Sequence, residues 1–173
     1  MTQTWFISDA HFQHSKILEY SSRPFRDIDH MNETIVKNWN ERVQKDDTVY
    51  FLGDFCFQYK DGFKAQDWIN RLNGKIIFVK GNHDEAIIKT DIHSIVLNRF
   101  GRNFYLVHDP LDGEPGMINI CGHVHNLFKF ATINNIDYIN VGVDVNNYSP
   151  ICFSELMKQY NLWKKGKINT FGK

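Results

Sequence analysis

A chain of 173 residues with 42% hydrophobic side chains and fourteen phenylalanines can build a substantial core, and residues 1–173 are expected to form one domain. Lysine plus arginine and aspartate plus glutamate are equal at 20 each, so there is no uniform field to hold nucleic acid or a membrane surface non-specifically, and an anionic partner must be held locally. The three cysteines (Cys56, Cys121, Cys152) form no CxxC pair, the N-terminus lacks the basic and apolar stretches of an export signal, and no apolar run approaches the roughly eighteen residues of a membrane span; a cytoplasmic protein with buried thiols is expected.

In chain order, residues 4–8 (TWFIS) form a short apolar run ending at Ser8-Asp9, the pattern of a buried strand with a polar C-terminal tip. Over 31–43 the apolar positions Met31, Ile35, Val36, Trp39 and Val43 recur at helical spacing, with Asp29 as the expected N-cap. Residues 47–54 (DTVYFLGD) repeat the first design. Ala65, Trp68, Ile69 and Leu72 then mark an amphipathic helix closed by Asn73-Gly74. Residues 75–84 (KIIFVKGNHD) are a third strand of the same kind. Beyond Asp91 the texture changes: SIVLNRF and NFYLVHD flank Gly101-Arg102 as the arms of a hairpin, MINICGHVHN and IDYINVGVD read as further strands, and SPICFSELMKQY ends in a short helix. Three βα-type units followed by a more antiparallel half predict an α/β domain with a mixed sheet or two packed sheets.

The strand ends carry Asp9, His11, Asp54, Asn82, His83, Asp84, His108, His123 and His125. Ligands of α/β sheets collect beyond the carboxyl ends of strands. In extended backbone, residues i and i+2 face one side, so Asp9 with His11, and His123 with His125, can each reach a common object. Gly53, Gly81 and Gly122 stand before these tips, where a missing Cβ permits close backbone approach. Imidazole nitrogens with carboxylate and amide oxygens, without thiolate, suit borderline divalent metals. Asp9, His11, Asp54, Asn82, His108, His123 and His125 are too many ligands for one tetrahedral zinc, but two ions sharing a bridging carboxylate would use them all.

The stretches SDAH, LGDF, GNHD, VHD and GHVH, in this order, resemble the signature of the calcineurin-like metallophosphoesterases: D-x-H, G-D, G-N-H-[DE], a lone His and G-H-x-H. NVGVD at 140–144 looks like the strand that closes that fold, and SDAHFQH followed by RPF is similar to small single-domain bacterial and phage members. The resemblance implies two packed mixed β-sheets flanked by helices. It also implies one divalent ion on Asp9, His11 and His125, a second on Asn82, His108 and His123, and Asp54 bridging both. His83 would be the catalytic acid, oriented by Asp84. Mn2+ is the first choice of ion, with Fe, Ni2+ and Zn2+ open.

The implied reaction is hydrolysis of a phosphate ester, preferably a phosphodiester or small nucleotide, by a hydroxide bridging the ions while His83 protonates the leaving group. A phosphomonoesterase of the same fold and a non-catalytic metal-binding scaffold are the alternatives. Arg23, Arg26 and Arg102 are candidates for the substrate phosphate because guanidinium pairs bidentately with its oxygens, although solvent exposure is the ordinary expectation for each. His14 is a further candidate. Residues 12–46 make a longer insertion than is common in the family and are expected to border the cleft.

Overall fold

The computed structural model describes residues 2–57, 64–84 and 88–173. Along the chain lie β1 (Thr4–Ile7), α1 (Ile17–Tyr20), α2 (Ile28–Arg42), β2 (Thr48–Leu52), α3 (Ala65–Ile69), β3 (Lys75–Val79), β4 (Ser94–Arg99), β5 (Arg102–Val107), β6 (Ile118–Cys121), β7 (Phe130–Ile133), β8 (Ile136–Asn140), β9 (Ile151–Cys152) and α4 (Phe153–Lys164). Strands β1 to β3 pair in parallel and β9 runs antiparallel to β1, giving a first sheet of order β3-β2-β1-β9. The second sheet has the order β4-β5-β6-β8-β7. These are two mixed sheets flanked by helices, as the resemblance implied. The second half is less antiparallel than predicted, because β5/β6 and β6/β8 are parallel pairs and only the outer pairs are antiparallel. The chain returns to the start of the sheet through the connection containing the 3-10 turn Pro110–Asp112, as a parallel pair requires.

Side-chain alternation in the first sheet divides the apolar residues between two cores. Trp5, Ile7, Val49 and Phe51 pack with Met31, Ile35 and Trp39 of α2 and Trp68 of α3, whereas Phe6, Leu52 and Val79 point the other way and meet Phe104, Leu106, Ile120, Phe130 and Ile139 of the second sheet. Leu156 and Tyr160 of α4 join this second core. Each fully buried side chain of this size contributes about 1.5–3 kcal/mol relative to exposure.

Asp27, not Asp29, caps α2: its Oδ1 accepts the His30 N–H at 2.8 Å, while Asp29 lies within the first turn. Helix α3 ends at Ile69, short of the predicted Asn73-Gly74. Tertiary bonds draw the following turn out of the helix, since Trp39 Nε1 donates to Asn73 O at 2.8 Å and Asn73 N donates to Asn40 Oδ1 at 2.9 Å. The hairpin β4–β5 forms, with Phe100 and Gly101 rather than Gly101 and Arg102 at its tip, both at positive φ (51° and 70°) as a two-residue turn of matching twist demands. Among the described residues no helix is long and apolar enough to cross a membrane.

The sheets meet at their strand ends. Ser8 pairs with Gly142 in a parallel bridge, accepting from Val143 N at 3.1 Å and donating to Val141 O at 3.2 Å. The ends of β1, β2 and β3 are thereby set against those of β5, β6 and β8.

Candidate metal centre

At this junction the backbone turns sharply. Asp9, His11, Asp54, His123 and His125 all have left-handed φ, at 56°, 51°, 59°, 68° and 46°. For residues with a Cβ this costs of order 1–3 kcal/mol each, and it persists only where surrounding structure enforces it. The extended backbone assumed for the i and i+2 pairs is therefore corrected: Asp9 and His11 still share a group, but His123 and His125 do not. Asp9, His11 and His125 form one group and Asp54, His108 and His123 another, each with ligand atoms within 4.8 Å of one another, so the two histidines of GHVH separate. Close approach explains the glycines: a Cβ on Gly122 would lie 2.6 Å from Asp9 Oδ2, and one on Gly53 would lie 2.6 Å from Gly81 Cα.

In the first group Asp9 is fully buried, its Oδ2 accepting from Ser8 Oγ at 2.6 Å and both its oxygens facing His123 N at 3.1 and 3.0 Å. Among the described residues His11 Nε2 is buried without a hydrogen-bond partner, 3.5 Å from Asp54 Oδ2. A buried ring nitrogen of this kind needs a partner that the described residues do not supply. His125 Nδ1 lies 2.9 Å from Asp144 Oδ2, which leaves Nε2 for a ligand.

In the second group His108 Nδ1 donates to Leu52 O at 2.7 Å, leaving Nε2 at 2.9 Å from Asn82 Oδ1 and 3.4 Å from Asp54 Oδ2. His123 Nδ1 is 3.0 Å from Asn82 Oδ1 and 3.3 Å from His108 Nε2. Lone-pair atoms packed this closely repel unless a proton or a cation stands among them. Asp54 Oδ2 faces both groups.

Burial pushes the Asp9 carboxyl above the usual carboxylate range, against the pull of His108 and His125. Burial acts upward on Asp54 too, but its hydrogen bond to His108 and the charges of His108 and His11 hold it below that range. Burial pushes His11 well down, toward the neutral form that ligates metal. His108 is also pressed down by burial, yet Asp54 and Asp9 carry it up to about 9. The buried carboxylates hold a proton on an imidazole, and a cation can take that proton's place. The orphaned His11 Nε2 and the oxygen and nitrogen donors fit divalent ions.

His83 is exposed, its N–H donating to Asp54 Oδ1 at 3.0 Å and its ring 5.6 Å from the His11 ring. Asp84 does not orient that ring as predicted. It is buried, and its oxygens accept from the backbone N–H groups of Asp54 (2.8 Å), Gly81 (2.9 Å) and Phe55 (3.0 Å), because the tight approach of the β2 and β3 ends leaves those donors to be satisfied. His14 does reach the site: Nδ1 is 3.4 Å from His11 Nδ1, and the ring stacks on Phe57 at 4.9 Å.

Of the three arginines, Arg26 and Arg102 are exposed, as was the ordinary expectation, and Arg23 is corrected. Arg23 is 4% exposed and pairs with Asp144 at 2.8 and 2.9 Å, so it faces neither solvent nor substrate. Arg26 is an exposed residue paired with Asp27 at 2.7 Å. Arg102 begins β5, the opposite end from His108. Asp144 and Asn140 were missed. Asn140 Nδ2 donates to His125 O and Phe128 O at 2.8 Å each, holding the GHVH loop. Asp144 follows an apolar strand just as Asp9 and Asp54 do, and that shared pattern was the available signal.

The sequence model of the calcineurin-like phosphoesterases matches residues 2–171. An uncharacterised protein of Methanocaldococcus jannaschii is 37% identical over 174 residues, 97% of this chain and 95% of that one. The gene 66 protein of Mycobacterium phage D29 is 27% identical over 183 residues, covering 83% and 89% of the two chains. The crystal structure of a protein of unknown function from Aquifex aeolicus has the same fold, with a TM-score of 0.71 at 24% identity over 91% of this chain and 99% of that one. Its motifs, its paired mixed sheets and this match over nearly its whole length agree, and the chain belongs to the calcineurin-like phosphoesterase family.

Proposed function

We infer that the chain is a two-metal phosphoesterase acting on phosphodiesters or small nucleotides. The observation that carries this reading is the position of Asp54 Oδ2, 3.5 Å from His11 Nε2 and 3.4 Å from His108 Nε2, where one oxygen can serve both ligand groups. Asp9, His11 and His125 would hold one divalent ion and Asn82, His108 and His123 the other, with Mn2+ preferred over Fe, Ni2+ or Zn2+. Such ions supply Lewis acidity toward a phosphoryl oxygen and acidify a water.

The protein's own residues do the rest. Asp54 Oδ1 anchors the His83 backbone, so the exposed imidazole stands beside the centre, where it donates a proton to the departing alkoxide. Asp84 ties the loop that carries Asp54 to the loop that carries His83. His14, beside His11, donates to a phosphoryl oxygen. With Arg23 buried and Arg26 paired with Asp27, the substrate's charge is met by the ions and these two histidines. The open mouth, with Asn82 and His83 exposed, suits a substrate bearing two ester groups. Residues 1–173 act as one domain, and the three free cysteines suit a reducing cytoplasm.

The test strips the protein with a chelator, reloads it with Mn2+, Fe2+, Ni2+ or Zn2+, and compares an aryl phosphodiester with an aryl phosphomonoester. Turnover should return with metal, most with Mn2+, and favour the diester. A faster monoester reaction assigns a phosphomonoesterase, and two bound ions without turnover assign a scaffold. His83→Ala should retain both ions and lose roughly 10²–10⁴-fold in turnover of an alkyl diester.

A further inference from the structure

We propose that Arg23 and Asp144 are a positioning pair for one half of the centre: together they orient His125 and hold the backbone turn that carries Asp9 and His11. They would therefore govern ion binding there and leave the group of Asn82, His108 and His123 unaffected. This rests on the two-ion reading of the site.

The partners lie 121 residues apart in sequence, and their side chains are 0% and 2% exposed. A guanidinium has five N–H donors, and each has an acceptor here. Nε and Nη2 reach the two oxygens of Asp144, Nη2 also reaches Asp9 O at 2.7 Å, and Nη1 reaches Ala10 O at 3.0 Å and Met31 Sδ at 3.3 Å. Arg23 thus grips two consecutive carbonyls between the left-handed residues Asp9 and His11. Asp144 Oδ2 also faces His125 Nδ1, and a carboxylate at that nitrogen keeps the proton there and turns the Nε2 lone pair toward the ligand group. Lysine lacks the fork that spans a carboxylate and two carbonyls.

Among the described residues the other group lacks such a pair. His108 Nδ1 is held by a backbone carbonyl, and His123 Nε2 stands 3.6 Å from Asp109 near the surface. A buried ion pair is in general a weak source of stability, since desolvation offsets its attraction. A pair that bonds to the backbone of one ligand and the ring of another is explained better by placement.

The experiment measures Mn2+ binding to chelator-stripped protein by calorimetry and by metal content after desalting. Asp144→Asn should weaken one of two binding events roughly tenfold to hundredfold and leave the other unchanged. Adding Asp144→Asn to His125→Ala should have no further effect, whereas adding it to Asn82→Ala should remove the remaining ion. A double variant, Arg23→Met with Asp144→Asn, leaves no unpaired buried charge and should repeat the selective loss, with the stripped fold intact by circular dichroism. Equal weakening of both events, no weakening, or loss of the stripped fold in both Asp144 variants would overturn the assignment. If His125→Ala and Asn82→Ala themselves leave the ion content unchanged, it is the two-ion reading that fails.

Discussion

Around Asp9, His11 and His125 the protein uses buried charge: a fully enclosed aspartate, a buried imidazole and an arginine-aspartate pair behind them. Around Asn82, His108 and His123 it uses an exposed amide, a backbone carbonyl and a histidine whose side chain is 39% exposed. A cleft of about 510 Å³ opens on this second side, lined by Lys80, Asn82, Tyr105, His108 and Asp109 among others. The contrast is one of enclosure: the first group is oriented by buried partners of its own, and the second borders an open cleft.

The largest effect expected from breaking this arrangement is that of Asp54→Ala, which removes the oxygen facing both groups. Metal content should fall from about two ions per chain to near none, with activity at background. Retention of a full ion complement would refute the bridging position. Asn82→Ala should act on the open side alone, reducing the content after desalting to about one ion. Equal loss from both sides would mean that the groups are one cooperative unit.

The smallest effect on the site should come from the opposite end of the first sheet, where Asp47 accepts from Gln3 N at 2.7 Å, Trp5 Nε1 at 2.8 Å and Gln44 N at 3.0 Å. Asp47→Ala strands these donors and should lower stability by about 1–3 kcal/mol with ion content unchanged. Burial pushes the Asp47 carboxyl up, but the Gln3, Gln44 and Trp5 donors outweigh it and hold it below the ordinary 3.8. Its stabilisation is therefore complete above that ordinary value and is lost as pH falls through the lower folded one. In thermal melts the advantage of the parent over Asp47→Asn should shrink on acidification below pH 3.8, and a widening gap would contradict the sign.

Asp9, Asp54 and His123 were legible because each follows an apolar run and a small residue, whereas His108 follows Val107 and was raised only by motif order and resemblance. Asp9, His11, Asp54, His108, His123 and His125 all arrive at the junction of the sheets. Arg23 and Asp84 were misread for a common reason. Their partners are Asp144, 121 positions away, and the backbone of Asp54, 30 positions away, and hydropathy gives no sign that a charged side chain has buried partners waiting. The cap of α2 was displaced by two residues, from Asp29 to Asp27, since either aspartate satisfies the same composition rule.

Apolar alternation and strand-end chemistry, both local properties of the chain, were sufficient for an α/β class of fold and for most of the residues that converge at the sheet junction, while the two packed sheets and His108 needed the family resemblance. How those residues divide was implied by the resemblance, but its physical cause lies in assembly. His123 and His125 part because left-handed turns, enforced by contacts from other strands, rotate neighbouring side chains into different groups. The enclosed group differs from the open one because an arginine from the 12–46 insertion meets an aspartate from the turn after β8. Strain and buried charge are stable only when distant partners are already in place, and so they have no signature in any short stretch of sequence.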